Sequence, residues 1–210
     1  MERTISGLHQ TLIQELPALS YNSPILDIGC GTGAWLERVA AIGFHNLYGI
    51  DLDVEQVKTK KAQISKVDFD QDNFEPDCEF GLITAIEVIE HLENPGRLFH
   101  FVQKHLGQEG YFLITTPNIH SLNCRLKFFM TGKLASFDEK GDKTHIYPAL
   151  IDALHRVLPH YSLQITRQWT YPQKGSLIYR RSTQMLSQIF GMVLPNPYPG
   201  DTLCLLLQKQ

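Results

Sequence analysis

Eight residues near the start of the chain, Leu26-Asp27-Ile28-Gly29-Cys30-Gly31-Thr32-Gly33, set an acid before three glycines at alternate positions. Glycines there let the backbone turn sharply and let a ligand approach main-chain atoms closely. A helix following such a turn offers unpaired N–H groups at its N-terminus, a place suited to a phosphate or a carboxylate. Asp51 closes Gly49-Ile50-Asp51, about 20 residues past the turn, where an acid can accept both hydroxyls of a ribose. The chemistry is nucleotide binding, and at this point two cofactors fit. Gly29-x-Gly31-x-x-Ala34 also satisfies the dinucleotide fingerprint.

Two further features separate them. Asp27 stands two residues before the first glycine. A second acid would repel a pyrophosphate, whereas a cofactor carrying a sulfonium and an ammonium tolerates it. Then Glu87-Val88-Ile89-Glu90-His91 follows an apolar run, 80–86, at the place where open α/β sheets bind their ligands. His91 titrates near neutrality, so it is the first candidate for a base that takes a proton from a hydroxyl acceptor, with Glu90 beside it. The plainer alternative is that His91 opens the next helix and makes a structural hydrogen bond. Glu87, Glu90 and His91 are spaced i, i+3, i+4, one face of a helix, and His145 lies downstream. Such a set could hold Mg²⁺, Mn²⁺ or Zn²⁺, so a divalent metal is permitted by the residues but is not expected.

Leucines and Ile13 at helical spacing predict a helix over 4–16. Buried strands are expected at 24–28, 47–50, 80–86 and 111–116, with a short one closing at Val67-Asp68-Phe69. Helices are expected at 34–41, 54–64 and from Pro95 to about Leu106, with Gly107 and Gly110 framing a turn. The alternation predicts a doubly wound, largely parallel α/β sheet. Beyond it, helices are expected over 121–130, 148–158 and 181–193, a polar mobile stretch over 131–144, and strands at 161–170 and 202–207. Residues 119–146 and 172–199 read as insertions forming a substrate cap on a cofactor-binding core, 24–118, within one domain spanning 1–210.

The chain has 210 residues and a formal net charge of -3, so duplex nucleic acid is not an expected partner. Its four cysteines form no CxxC pair and read as reduced thiols. With no signal-like segment and no transmembrane run, the expectation is a cytoplasmic protein, monomeric or a homodimer.

On Leu26–Gly33, Gly49–Asp51, Val67–Phe69, Glu87–Leu92 and Ile114–Asn118, in that order, the sequence resembles the class I S-adenosylmethionine-dependent methyltransferases. It is most similar to the group that includes the ubiquinone-biosynthesis O-methyltransferases. The resemblance implies a seven-stranded Rossmann-like sheet whose last strand, 202–207, is antiparallel, and S-adenosylmethionine as cofactor with S-adenosylhomocysteine as product. It implies that Asp27, Gly29, Cys30, Gly31 and Gly33 hold the methionine end. Asp51 and the adjoining Leu52 would take the ribose side, Asp68 the adenine amino group and Phe69 the ring. Ile86 and Glu87 would line the methyl-transfer pocket. The acceptor is expected to be a small-molecule, glycan-like or lipid-linked hydroxyl. An NAD-dependent oxidoreductase, which leaves 87–91 without a task, and a non-catalytic module of the same fold are the rival readings.

Overall fold

The computed structural model describes residues 4–179, 181–192 and 194–210. Strands β1 (Ile25–Ile28), β2 (Leu47–Asp51), β3 (Gln63–Lys66), β4 (Phe80–Ile86), β5 (Leu106–Pro117), β6 (Leu163–Tyr171) and β7 (Thr202–Lys209) form one sheet in the order β3-β2-β1-β4-β5-β7-β6. Every neighbouring pair is parallel except β5–β7 and β7–β6, so β7 alone runs against the rest. The seven-stranded, doubly wound arrangement with an antiparallel last strand is the expected fold. Its helices are α1 (Leu8–Gln14), α2 (Ala34–Ala41), α3 (Pro95–His105), α4 (Leu122–Thr131), α5 (Ile151–Val157) and α6 (Arg181–Gly191).

Alternate residues of the central strands feed two apolar layers, as the two-residue period of a strand requires. Leu26, Ile83, Phe112, Ile114, Leu205 and Leu207 pack with α3 and α5 through Leu98, Val102 and Leu154. Ile25, Leu82, Leu113, Cys204 and Leu206 pack on the opposite layer with α1 and α2 through Leu12, Trp35 and Leu36. The chain passes from β1 to β2 on one side and returns to β4 on the other. The carboxyl ends of β1 and β4 therefore flank the switch point where such sheets take ligands.

Several elements depart from expectation. No helix spans 54–64: a single 3-10 turn, Val54–Gln56, ends where Val57 turns extended, and β3 runs Gln63–Lys66, ending just before Val67-Asp68-Phe69, where the third strand was expected to close. Helix propensity is overridden because the segment runs back along the sheet. Lys58 N–H donates to the Thr32 carbonyl, and β3 then pairs with β2 as a polar edge. Gly107 and Gly110 lie within β5, where the β4–β5 register shifts between Phe80 and Leu82, instead of framing a turn. Gly7 in a left-handed conformation delays α1 to Leu8. Val193, the expected end of the last helix, lies outside the described residues; α6 closes at Gly191.

Residues 119–146 and 172–199 meet each other. Helices α4 and α6 pack together, the Arg125 guanidinium donates to the Pro195 carbonyl, and Leu122 N–H donates to Asn196 Oδ1 at 3.0 Å. Asn118, at the end of β5, ties this region to the sheet by donating to the carbonyls of Tyr198 and Gly200.

Candidate active site

The glycine turn connects β1 to α2, and all three glycines have positive φ, at 69°, 54° and 78° for Gly29, Gly31 and Gly33. The reasons differ. A Cβ at Gly29 would meet Val88 Cγ2 at 2.6 Å, and one at Gly33 would meet Thr59 Cγ2 at 2.5 Å, so these two glycines let protein pack on protein. A Cβ at Gly31 would meet nothing within 4 Å. The open side of the turn is therefore at Gly31, where a ligand can reach the main chain.

Asp51 faces that opening from the end of β2. Its Oδ2 accepts the Gly31 N–H at 2.7 Å and its Oδ1 accepts the Asp53 N–H at 2.9 Å. Each oxygen then keeps a lone pair, so the carboxylate is fixed in place yet can still accept two hydroxyls. Asp27 lies below the turn, fully enclosed in the middle of β1, with Thr84 of β4 donating to its Oδ1 at 2.7 Å. Burial pushes its carboxyl up to about 7; the Thr84 hydrogen bond opposes this and the Asp51 charge adds to it. A buried acid so disposed is stabilised in its charged form by a cation. Two acids and the open side of the main chain at Gly31 thus fit a cofactor with ammonium and sulfonium charges and a ribose, and disfavour a pyrophosphate.

The remaining expected cofactor residues divide. Val67 N–H donates to the Asp51 carbonyl at 3.0 Å, which brings 67–69 beside the ribose-side acid. There Asp68 Oδ1 caps a tight turn by accepting from Asp70 N–H, and Phe69 sets its ring against Phe101 with centroids 5.4 Å apart. Leu52 is 60% exposed at the rim. The Cys30 side chain points away from the opening into the core, and burial, then Asp27 and Asp51, raise its thiol to about 12. Cys30 thus turns only its backbone towards the opening.

Ile86 is nearly buried at the end of β4, and Glu87 follows with φ 55°. This left-handed backbone is costly for a residue with a Cβ. Three bonds to Thr115 of β5 hold it: Glu87 N–H donates to the Thr115 carbonyl and to its Oγ1, and the Thr115 hydroxyl is 3.0 Å from Glu87 Oε1. Burial raises the Glu87 carboxyl to about 7, opposed by Thr115. The segment does not become the helix face that would unite Glu87, Glu90 and His91. A 3-10 turn at Ile89–His91 turns Glu87 towards β5 and brings Glu90 and His91 instead beside His145.

What brings His145 there is main-chain bonding. The Glu90 carbonyl accepts the N–H groups of both Ile146 and Tyr147, at 2.8 and 3.0 Å. The His91 and His145 rings meet edge to face, centroids 4.7 Å apart. His91 Nδ1 lies 2.8 Å from Thr144 Oγ1, and that hydroxyl donates to Asp142 Oδ1 at 2.7 Å. The hydroxyl proton being engaged, Nδ1 of His91 carries the hydrogen and Nε2 keeps its lone pair. Burial, then the His145 charge, lowers the His91 pKa, so the ring is neutral at pH 7. Thr84, Thr115, Asp142 and Thr144 escaped sequence reasoning. The signal for the first two was a polar residue inside an apolar strand, which must find a partner.

The chain matches a methyltransferase-domain family model over residues 1–191. It is 29% identical over 167 residues to a ubiquinone biosynthesis O-methyltransferase of Hydrogenovibrio crunogenus, covering 72% of this chain and 67% of that protein. It is 28% identical over 130 residues to a probable S-adenosylmethionine-dependent methyltransferase of Mycolicibacterium smegmatis, covering 56% of this chain and 50% of that protein. Among solved structures, an S-adenosylmethionine-dependent methyltransferase from Archaeoglobus fulgidus shares the fold at a TM-score of 0.63 and 20% identity, covering 96% and 93% of the two chains. One from Mesorhizobium loti does so at 0.64 and 14%, covering 95% and 96%. With the buried Asp27, the bared Gly31 and the match along 1–191, the chain belongs to the S-adenosylmethionine-dependent methyltransferases of class I.

Proposed function

We propose that the chain methylates a hydroxyl oxygen of a small-molecule, glycan-like or lipid-linked acceptor. The observation that carries this is the neutral His91 ring, its Nδ1 anchored through Thr144 to Asp142 and its Nε2 free beside the end of β4. S-adenosylmethionine supplies an activated methyl group, so the protein's share is to align an acceptor, exclude water and receive a proton. Asp51 and the turn at Gly31 hold the cofactor, Asp27 offsets its positive charge, and Ile86 and Glu87 line the pocket. Asp68 and Phe69 border the adenine side. His91 takes the proton that a hydroxyl must lose, with the buried Glu90 carboxyl beside it. Residues 119–146 and 172–199 cover the acceptor. Exposed Phe128, Phe129, Met185 and Ile189 on α4 and α6 suit an acceptor with an apolar part. The O-methyltransferase named among the relatives supports oxygen as the methylated atom.

The test is calorimetry with S-adenosylmethionine, followed by transfer of a labelled methyl group to a panel of phenolic, sugar and polyprenyl hydroxyls. Asp51→Ala should weaken cofactor binding at least about tenfold, as a hydrogen-bonded charge is lost. His91→Ala should lower kcat by about 10²–10⁴, with the acid limb of the pH–rate profile removed. A cofactor that binds but never turns over with any hydroxyl would sink the proposal.

A further inference from the structure

The loop on the adenine side and the turn that carries His91 are tied together by four hydrogen bonds that neither cofactor binding nor proton transfer calls for. From the loop, the two carboxylate oxygens of Asp70 accept the N–H groups of Glu93 and Asn94, at 3.2 and 3.4 Å. From α3, Arg97 donates through Nε to the Phe69 carbonyl at 3.1 Å and through a terminal nitrogen to the Asp72 carbonyl at 2.6 Å. The two donations run in opposite senses. α3 has no acid in its own first turn, so the Asp70 carboxylate supplies the negative charge at the positive end of that helix. Arg97 in turn meets the carbonyls of the tight turn that the Gln71 and Asp72 amides close on Asp68. Phe101, one helical turn past Arg97, sets its ring against that of Phe69. Glu93 and Asn94 follow His91 by two and three residues, directly after the 3-10 turn Ile89–His91.

We propose that Asp70 and Arg97 are positioning residues, a reciprocal clamp through which an adenosine seated against Asp68 and Phe69 sets His91 for the acceptor. Such a contiguous chain of charged hydrogen bonds can carry a change at one site to another. Filling the adenine side steadies the 67–72 loop, the clamp steadies the start of α3, and the short turn before it holds His91 in place. The guanidinium suits this task because its fork spans two carbonyls at once; an ammonium keeps the charge and loses the span. The inference rests on the S-adenosylmethionine reading of the site and extends it from binding to communication. Cofactor occupancy and acceptor affinity become coupled, and by linkage each raises the other by the same factor.

The experiment uses the full chain and adenosine, a probe that lacks the sulfur and methyl group of the cofactor, with S-adenosylhomocysteine as reference. Calorimetry follows binding, amide hydrogen exchange follows 89–94, and NMR follows the His91 ring protons. At saturation adenosine should slow exchange at Glu93 and Asn94 about tenfold, the effect of one hydrogen bond to a charged group, and should move the His91 resonances. Asp70→Ala at saturation should lose both responses. Asp70→Asn, which keeps one accepting oxygen, and Arg97→Lys should each keep part of them. A purely structural role would lower Tm in these variants and leave the responses at saturation intact, and that result would overturn the clamp. So would adenosine that binds the parent without changing exchange at 93–94 or the His91 resonances. If adenosine binds too weakly to saturate, the responses of the parent and Asp70→Ala to S-adenosylhomocysteine decide by the same criterion. Failure of S-adenosylhomocysteine itself to bind would overturn the cofactor reading and the clamp with it.

Discussion

At the scale of single residues, the three turn glycines are not equivalent. Gly29 and Gly33 are required by their neighbours, Val88 and Thr59, whereas Gly31 is required by its left-handed φ and borders open space. Gly31→Ala should therefore cost only about 1–2 kcal/mol of stability, while weakening S-adenosylmethionine binding at least about tenfold, because a methyl group enters the ligand's side. Denaturant titration and calorimetry on the same variant separate the two effects; unchanged affinity would place the cofactor away from Gly31. These glycines, Asp27 and Asp51 were legible in the sequence because their spacing is local and their types are rare in strands. His145 was visible only as a candidate. Its approach to His91 depends on two main-chain bonds across more than fifty residues, which no local spacing records.

At the scale of elements, β4 and β5 are joined past their last paired residues by the Thr115 hydroxyl, which holds Glu87 in its left-handed turn. Thr115→Val keeps the strand shape and removes that link. It should destabilise the protein by about 1–3 kcal/mol, the cost of an unsatisfied buried polar group, and slow methyl transfer more than it weakens cofactor binding. Urea unfolding and a comparison of kcat with cofactor affinity check both parts; a variant as stable as the parent would show that Glu87 needs no such anchor. The central strands could be read from sequence because they are apolar on both faces, and α3 because Pro95 marks its first turn and the Asn94 side chain caps it. β3 could not be read that way. It is a polar edge of four residues, and the helix formers before it are drawn out by pairing with β2.

For the molecule as a whole, stability is linked to pH through an acid held below the cofactor turn. Asp27 titrates at about 7 when folded against an ordinary 3.8, so between those values the folded chain binds the extra proton. Its contribution therefore falls as pH rises through that window and is lowest above pH 7. Asp27→Asn should come nearest the parent in Tm at or below pH 3.8 and gain on it steadily up to about pH 7, and the advantage should shrink when S-adenosylmethionine is added to both. Thermal melts across pH check this; a gap that stays constant with pH would mean that Asp27 is not the titrating group. No described helix is long and apolar enough to cross a membrane.

The Glu90 carbonyl, which accepts two consecutive amides from 146–147, has a consequence for how the acceptor arrives. Those two bonds, with the His91–Thr144 contact, fasten one wall of the site to a short turn rather than to the sheet. Their rupture frees that wall and leaves every strand pairing intact, so the wall can breathe by local opening at a small fraction of the energy of global unfolding. Amide hydrogens at Ile146 and Tyr147 should accordingly exchange with solvent far sooner than those of β4, and a bound acceptor should slow them.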